Sequence, residues 1–109
     1  GDELWLAPLI TSNWLKDRMS VNVTNAPTRF GRVSYRLTSR TQDGVIEARI
    51  EPPARSTPKA IVLRLRHPDR KALRAATVNG RAHTDIDAKS ETVRIIPETT
   101  TPISVRASY

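Results

Sequence analysis

Chemistry in this chain of 109 residues would have to come from two histidines, eleven carboxylates, eighteen lysines and arginines and two tryptophans. His67 lies in "RHPD" and His83 follows an Asn-Gly pair, and neither belongs to an HxH or HExxH ligand spacing. Both are read as structural or surface residues. Glycoside hydrolysis would need two carboxylates, one of them commonly in an apolar setting. Glu47, Glu51, Asp69, Asp85, Asp87, Glu91 and Glu98 almost all fall at turns or polar strand positions, and no two stand out as an acid/base pair. There is no GxSxG, P-loop or dinucleotide fingerprint. No catalytic, metal or cofactor residues are therefore assigned. With no cysteine, disulfides and thiolate metal sites are excluded and the redox compartment stays open.

Binding leaves more to weigh. The net charge is +7 and most of the basic residues are arginine. Such a balance suits nucleic acid, a membrane surface or an acidic polysaccharide. It also suits a genome that supplies arginine wherever a solvated cation will do. Nucleic-acid recognition calls for stacking aromatics among the basic residues. Here Arg29, Arg32, Arg36, Arg49, Arg64, Arg66, Arg94 and Arg106 have few such companions, since Phe30 and Tyr35 suit packing and both tryptophans lie far upstream. A sugar-binding module would display Trp or Tyr as a flat platform. Trp5 in "ELWLAP" and Trp14 in "SNWLKD" sit among Leu, Ile and Pro, which favours burial against a neighbouring surface. The acceptor motif "NVT" at Asn22 is common by chance and carries no argument.

The elements that must position these residues are strands. Apolar residues alternate with polar ones at Met19-Val21-Val23, Val33-Tyr35-Leu37, Ile46-Ala48-Ile50, Ile61-Leu63-Leu65, Val93-Ile95 and Ile103-Val105-Ala107. Each segment can turn one face to a core and one to water. Turn residues separate them. "TQDG" at Thr41–Gly44 closes a short hairpin, and if Arg40 faces Val45 then Leu37 faces Ala48 and Tyr35 faces Ile50. Asn79-Gly80 is the strongest two-residue hairpin signal. "EPPARSTPK" at Glu51–Lys59 reads as a crossover loop, because prolines cannot donate to a ladder. Helix signals are confined to one turn in "SNWLKD", capped by Ser12, and a loop or single turn in "DRKALRAA". No run of about 18 apolar residues marks a membrane span. The pattern predicts one all-β domain over 1–109, a two-sheet antiparallel β-sandwich, Ig-like or jelly-roll-like, of about eight or nine short strands. Its expected core is Val21, Val33, Tyr35, Leu37, Ile46, Ala48, Ile61, Leu63, Leu65, Val93 and Val105. "GDELWLAP" has neither a basic n-region nor a signal h-region, so the chain is expected to be a piece of a longer protein, with Gly1 a tag remnant.

Read in order, "LWLAPLITSNWL", "MSVNVTNAPTRFGRVSYRLTS", "GVIEARIEPP", "AIVLRLRHP" and "ATVNGRAHTDID" resemble the C-terminal β-sandwich of bacterial six-hairpin glycoside hydrolases, enzymes built on an (α/α)6 barrel. In those tails a strand leads to a Trp loop, a Pro-Thr-x-Phe-Gly turn, a "VSY" strand and a "VNG" hairpin. Trp14, Pro27, Thr28, Phe30, Gly31, Val33 to Tyr35 and Val78 to Gly80 match these features. Many such tails carry Asp-Gly after the Trp loop, where this chain has Asp17-Arg18. The resemblance implies a non-catalytic accessory domain of a secreted or periplasmic bacterial enzyme. Its partner would be the catalytic barrel of the parent chain, and catalysis would lie in that barrel.

Three functions follow as expectations. The first is the accessory domain that packs on the barrel and supports its substrate cleft. The second is an independent carbohydrate-binding module for an acidic glycan, and the third a nucleic-acid-binding β domain. Residues for a carbohydrate or interface contact are Trp5, Trp14, Arg36 and Arg49. In the hairpin register above, Arg36 lies opposite Arg49, a like-charge pair that costs a few tenths of a kcal/mol or more. That polar face is expected to meet solvent or acidic groups.

Overall fold

A computed structural model describes residues 2–6, 20–40, 43–67, 71–97 and 101–109. Ten strands lie in these stretches: β1 (Glu3–Leu6), β2 (Ser20–Thr28), β3 (Gly31–Arg40), β4 (Val45–Glu51), β5 (Ala60–Arg64), β6 (Ala75–Val78), β7 (Arg81–His83), β8 (Ile86–Asp87), β9 (Thr92–Ile95) and β10 (Ile103–Ser108). They form two sheets, ordered β1-β5-β9-β8 and β2-β3-β4-β10-β6-β7. Neighbours pair antiparallel except β1 and β5, which run parallel. The expected all-β sandwich is present, with short β7 and β8 taking the strand number past eight or nine.

Hairpins set the register of the larger sheet. Arg40 pairs with Val45, Leu37 with Ala48, Tyr35 with Ile50 and Arg36 with Arg49, as the alternation required. Asn79 (φ 52°) and Gly80 (φ 80°) both take positive φ, the backbone of a two-residue turn that matches strand twist. The Asn79 amide donates to the Ser104 carbonyl at 2.7 Å, and the Ser104 amide donates to Asn79 Oδ1 at 2.9 Å. These bonds fasten the turn onto β10. The β2–β3 turn is held by Thr28, whose Oγ1 donates to the Gly31 carbonyl (2.6 Å) and accepts from the Phe30 amide (3.1 Å). Glu51–Lys59 crosses from the larger sheet to the smaller one, as its prolines imply, since β4 and β5 belong to different sheets.

The inward faces interlock in one core. Leu4, Leu6, Ile61, Leu63, Val93 and Ile95 of the smaller sheet meet Val33, Leu37, Ile46, Ala48, Ile50, Ile103 and Val105 of the larger. Two expected core residues, Val21 and Tyr35, are only half-buried. They sit on β2 and β3 at one edge, where a four-stranded sheet cannot cover all six strands facing it. "DRKALRAA" does not stay a loop throughout, because Ala75 and Ala76 open β6. Tyr109, missed by the alternation, closes the core, with its hydroxyl donating to the Leu65 carbonyl at 2.7 Å. Its ring lies 5.1 Å from that of His67.

The alternation also placed Val62 on the wet face, and the structure corrects this: Val62 is 4% exposed and Ala60 fully buried. Arg94 explains it. It stands on β9 beside Val62, and its Nε reaches Glu3 Oε2 on β1, at 3.1 Å. Since β5 lies between β9 and β1, the arginine stem must cross over β5 and cover it.

Candidate functional site

The outward face of the larger sheet holds an open depression of about 670 Å³. Strand alternation builds it. Leu37, Ala48 and Val105 point inward, so Arg36 and Thr38 on β3, Glu47 and Arg49 on β4, and Ser104 and Arg106 on β10 point outward. Arg40 and Thr77 complete the polar lining, and the fastened Asn-Gly turn brings Gly80 to its rim. Four arginines and one glutamate face the depression. Glu47 is held by Arg40 through an Nε–Oε1 ion pair and stands opposite Arg106 across the β4–β10 ladder.

Among the described residues no ion pair within 4 Å reaches the other three arginines, although Arg106 faces Glu47 across the ladder. Arg36 Nη2 has one contact, at 3.5 Å, to Ser20 Oγ. Among the described residues Arg49 and Arg106 make no ion pair. Arg36 and Arg49 also line a second, adjoining hollow of about 240 Å³, to which Asn22, Ser34 and Glu51 contribute. The two hollows make one groove running across the strands from β2 to the β6–β7 turn. Four interstrand steps of about 4.8 Å give it a length of roughly 19 Å.

Trp5 is on the opposite side of the sandwich. Leu4 and Leu6 point into the core, so Trp5 points out from the smaller sheet, where it is 56% exposed. Ile96 follows inward-facing Ile95 and continues the alternation outward, at 63% exposed. Trp5 and Ile96 are the exposed large apolar residues among the described ones. They flank the Arg94–Glu3 bridge, which Asp85 extends with Oδ2 at 3.5 Å from Arg94 Nη1. These two carboxylates raise the Arg94 pKa above its ordinary value. Beneath the same face, Arg64 Nε is buried with no hydrogen-bond partner.

The four residues singled out from sequence therefore divide. Arg36 and Arg49 are brought together, Trp5 is kept apart from them, and Trp14 lies outside the described residues. The "SNWLKD" turn and the Asp17-Arg18 departure lie outside them too. Sequence reasoning missed Arg106 and Ser104 as neighbours of Arg36 and Arg49, because β10 joins β4 from the far end of the chain, and it passed over Arg40, although the β3 alternation puts Arg40 on the same face as Arg36. Polar alternation in "ISVRAS" was the available signal.

Neither histidine joins the groove. His67 is buried beside Tyr109, its amide donating to Glu91 Oε2 at 3.2 Å. His83 holds Nε2 at 2.6 Å from the Arg94 carbonyl and so links the two sheets. Glu47 and Glu51, the groove's carboxylates, are four residues apart on one strand, or roughly 13 Å along the backbone. Glycosidase pairs are spaced at about 5–9.5 Å. Among the described residues no three His, Asp or Glu side chains cluster as metal ligands, and no helix is long and apolar enough to cross a membrane. No protein-family model, no curated protein and no solved structure matches the chain.

Proposed function

We propose that this domain is the non-catalytic accessory β-sandwich of a bacterial carbohydrate-active enzyme, packing on the enzyme's catalytic barrel and supporting the substrate cleft. The observation that supports this reading is the placement of Trp5 and Ile96. Both exposed large apolar side chains among the described residues lie on one outward face, around an ion-paired bridge. Exposed apolar residues scattered singly need no explanation, but two on one small sheet face suit an interface. The bridge between them is already ion-paired, so covering it would leave Arg94 and Glu3 with their partners. The chemistry needed for hydrolysis would come from the barrel, and the sequence resemblance supplies the identity of that partner.

The test uses the sandwich alone and the whole gene product. The pure 109-residue domain is expected to turn over no aryl glycoside. The double variant Trp5→Ser/Ile96→Ser should leave the denaturation midpoint of the isolated sandwich within about 0.5 kcal/mol of wild type, as for surface sites. In the whole product it should lower the thermal midpoint of the barrel. Turnover by the pure domain, abolished by changing one acidic residue, would overturn the reading. So would a whole product that contains no barrel.

A further inference from the structure

We propose that the arginine-lined groove on the larger sheet is a binding site for the anionic groups of an acidic polysaccharide, a uronate carboxylate or a sulfate ester. Anion binding by the groove does not depend on the accessory-domain reading, whereas the choice of a glycan as its source rests partly on that reading.

The groove keeps like charges together. Arg36 and Arg49 are direct cross-strand partners in the β3–β4 ladder, where side chains stand about 5 Å apart at Cβ. Arg106 lies on the next strand, beside Ser104, which is paired with Arg49. Of the ion pairs among the described residues, none reaches Arg36, Arg49 or Arg106. An oxyanion seated between Arg36 and Arg49 would convert their mutual repulsion into two charge-assisted contacts. Guanidinium is suited to this, because its fork meets two oxygens of a carboxylate or sulfate at once.

The rest of the lining favours a hydroxylated anion. Thr38, Thr77 and Ser104 can donate to or accept from sugar hydroxyls. Glu47, already held by Arg40, can accept a hydrogen bond from a sugar hydroxyl. No aromatic residue lines the larger hollow, and Tyr35, which lines the smaller one, is packed against the core, so the groove offers little platform on which a nucleic-acid base could stack. With the adjoining hollow included, four arginines face two glutamates. Across the strands the groove sets Asn22, Arg36, Arg49 and Ser104 in one row and Ser20, Thr38, Glu47, Arg106 and Thr77 in the next. Its length of roughly 19 Å suits an extended chain better than a single small anion.

Binding of the 109-residue domain should be measured against polygalacturonate, heparin, neutral dextran and a single-stranded oligonucleotide of matched charge, at low and moderate salt. Polygalacturonate or heparin should bind, with affinity falling as salt rises, and dextran should not. Which of the two binds better identifies carboxylate or sulfate as the source. Arg49→Ala and Arg106→Ala should each lower that affinity at least about fivefold with an unchanged denaturation midpoint, since both side chains are exposed. Arg66→Ala, an exposed arginine outside the groove, should leave it unchanged. Equal loss in all three variants would mean net charge alone attracts the polymer and would overturn the site. Tighter, Arg49-dependent binding of the oligonucleotide would overturn the glycan assignment. Failure of every polyanion to bind at low salt would overturn the proposal while leaving the Trp5 interface untouched.

Discussion

Tyr109 carries more of the fold than its terminal position suggests. Its ring is buried against His67 and its hydroxyl donates to the Leu65 carbonyl, so it ties the chain end to the strand edge of β5. Burial pushes its phenol above the ordinary tyrosine range, and the nearby Glu91 carboxylate adds to the shift. An unfolded tyrosine loses its proton near pH 10. Above that pH the unfolded chain sheds the proton while the native state keeps it, so the native state binds more protons and stability falls as pH rises. Tyr109 therefore stabilises fully below about pH 10 and contributes a downward slope above it. Tyr35, raised by its own burial, adds a further slope of the same sign. Tyr109→Phe should lose about 1 kcal/mol at neutral pH through the missing hydrogen bond. It should also flatten the fall in stability above pH 10. Urea midpoints measured at pH 7, 9.5 and 11 check both, and an undiminished alkaline slope in the variant would refute the assignment to Tyr109.

At the scale of elements, local pairing was legible and distant pairing was not. The β3–β4 register follows from residues less than twenty positions apart, because a one-residue slip would turn Tyr35 and Leu37 away from Ala48 and Ile50, and the short loop between the strands limits larger slips. The Asn-Gly turn was legible for the same local reason. The burial of Val62 was not, since it depends on Arg94 reaching across β5 to Glu3, 91 residues away in sequence. The groove was half legible: Arg36 and Arg49 come from one hairpin, while Arg106 joins them only through the β4–β10 ladder. Among the turns, the β2–β3 hairpin makes a sharp prediction. Gly31 has φ +118°, and a Cβ there would stand 3.2 Å from Arg55 Cβ. The crossover loop packs against this turn, with the Ser56 amide donating to the Phe30 carbonyl and Arg55 Nη2 to the Arg29 carbonyl, each at 3.0 Å. Gly31→Ala combines a disfavoured backbone with a tight contact and should cost about 2 kcal/mol. A denaturant midpoint equal to wild type would mean that the turn relaxes freely.

Over the whole molecule, the sandwich separates two surfaces of different chemistry. Trp5 and Ile96 face out from the smaller sheet, and Arg36, Arg49 and Arg106 face out from the larger, with the shared core between them. Stacked sheets lie about 10 Å apart, so side chains on the two outer faces are farther apart than that. Changes more than about 7–10 Å apart with no shared partner add within about 0.5 kcal/mol. Leu37, Ile50, Ile61 and Leu63 are fully buried between the two faces, and packed interiors of this kind deform little. On the proposed accessory role, a domain built this way could hold a barrel on one side while leaving the other side open to a polymer. The expected outcome is independence. Trp5→Ser/Ile96→Ser should leave polyanion affinity within about twofold of wild type, a difference of roughly 0.4 kcal/mol. If the whole product carries the proposed barrel, Arg49→Ala/Arg106→Ala should leave its thermal midpoint unchanged. The quadruple variant should show the two losses side by side, each of its original size. Titration calorimetry on the four proteins, paired with thermal scans of the whole product, measures both. A polyanion affinity that depends on Trp5 would place the two surfaces in one site, and the separation argued from the sheet order would then be wrong.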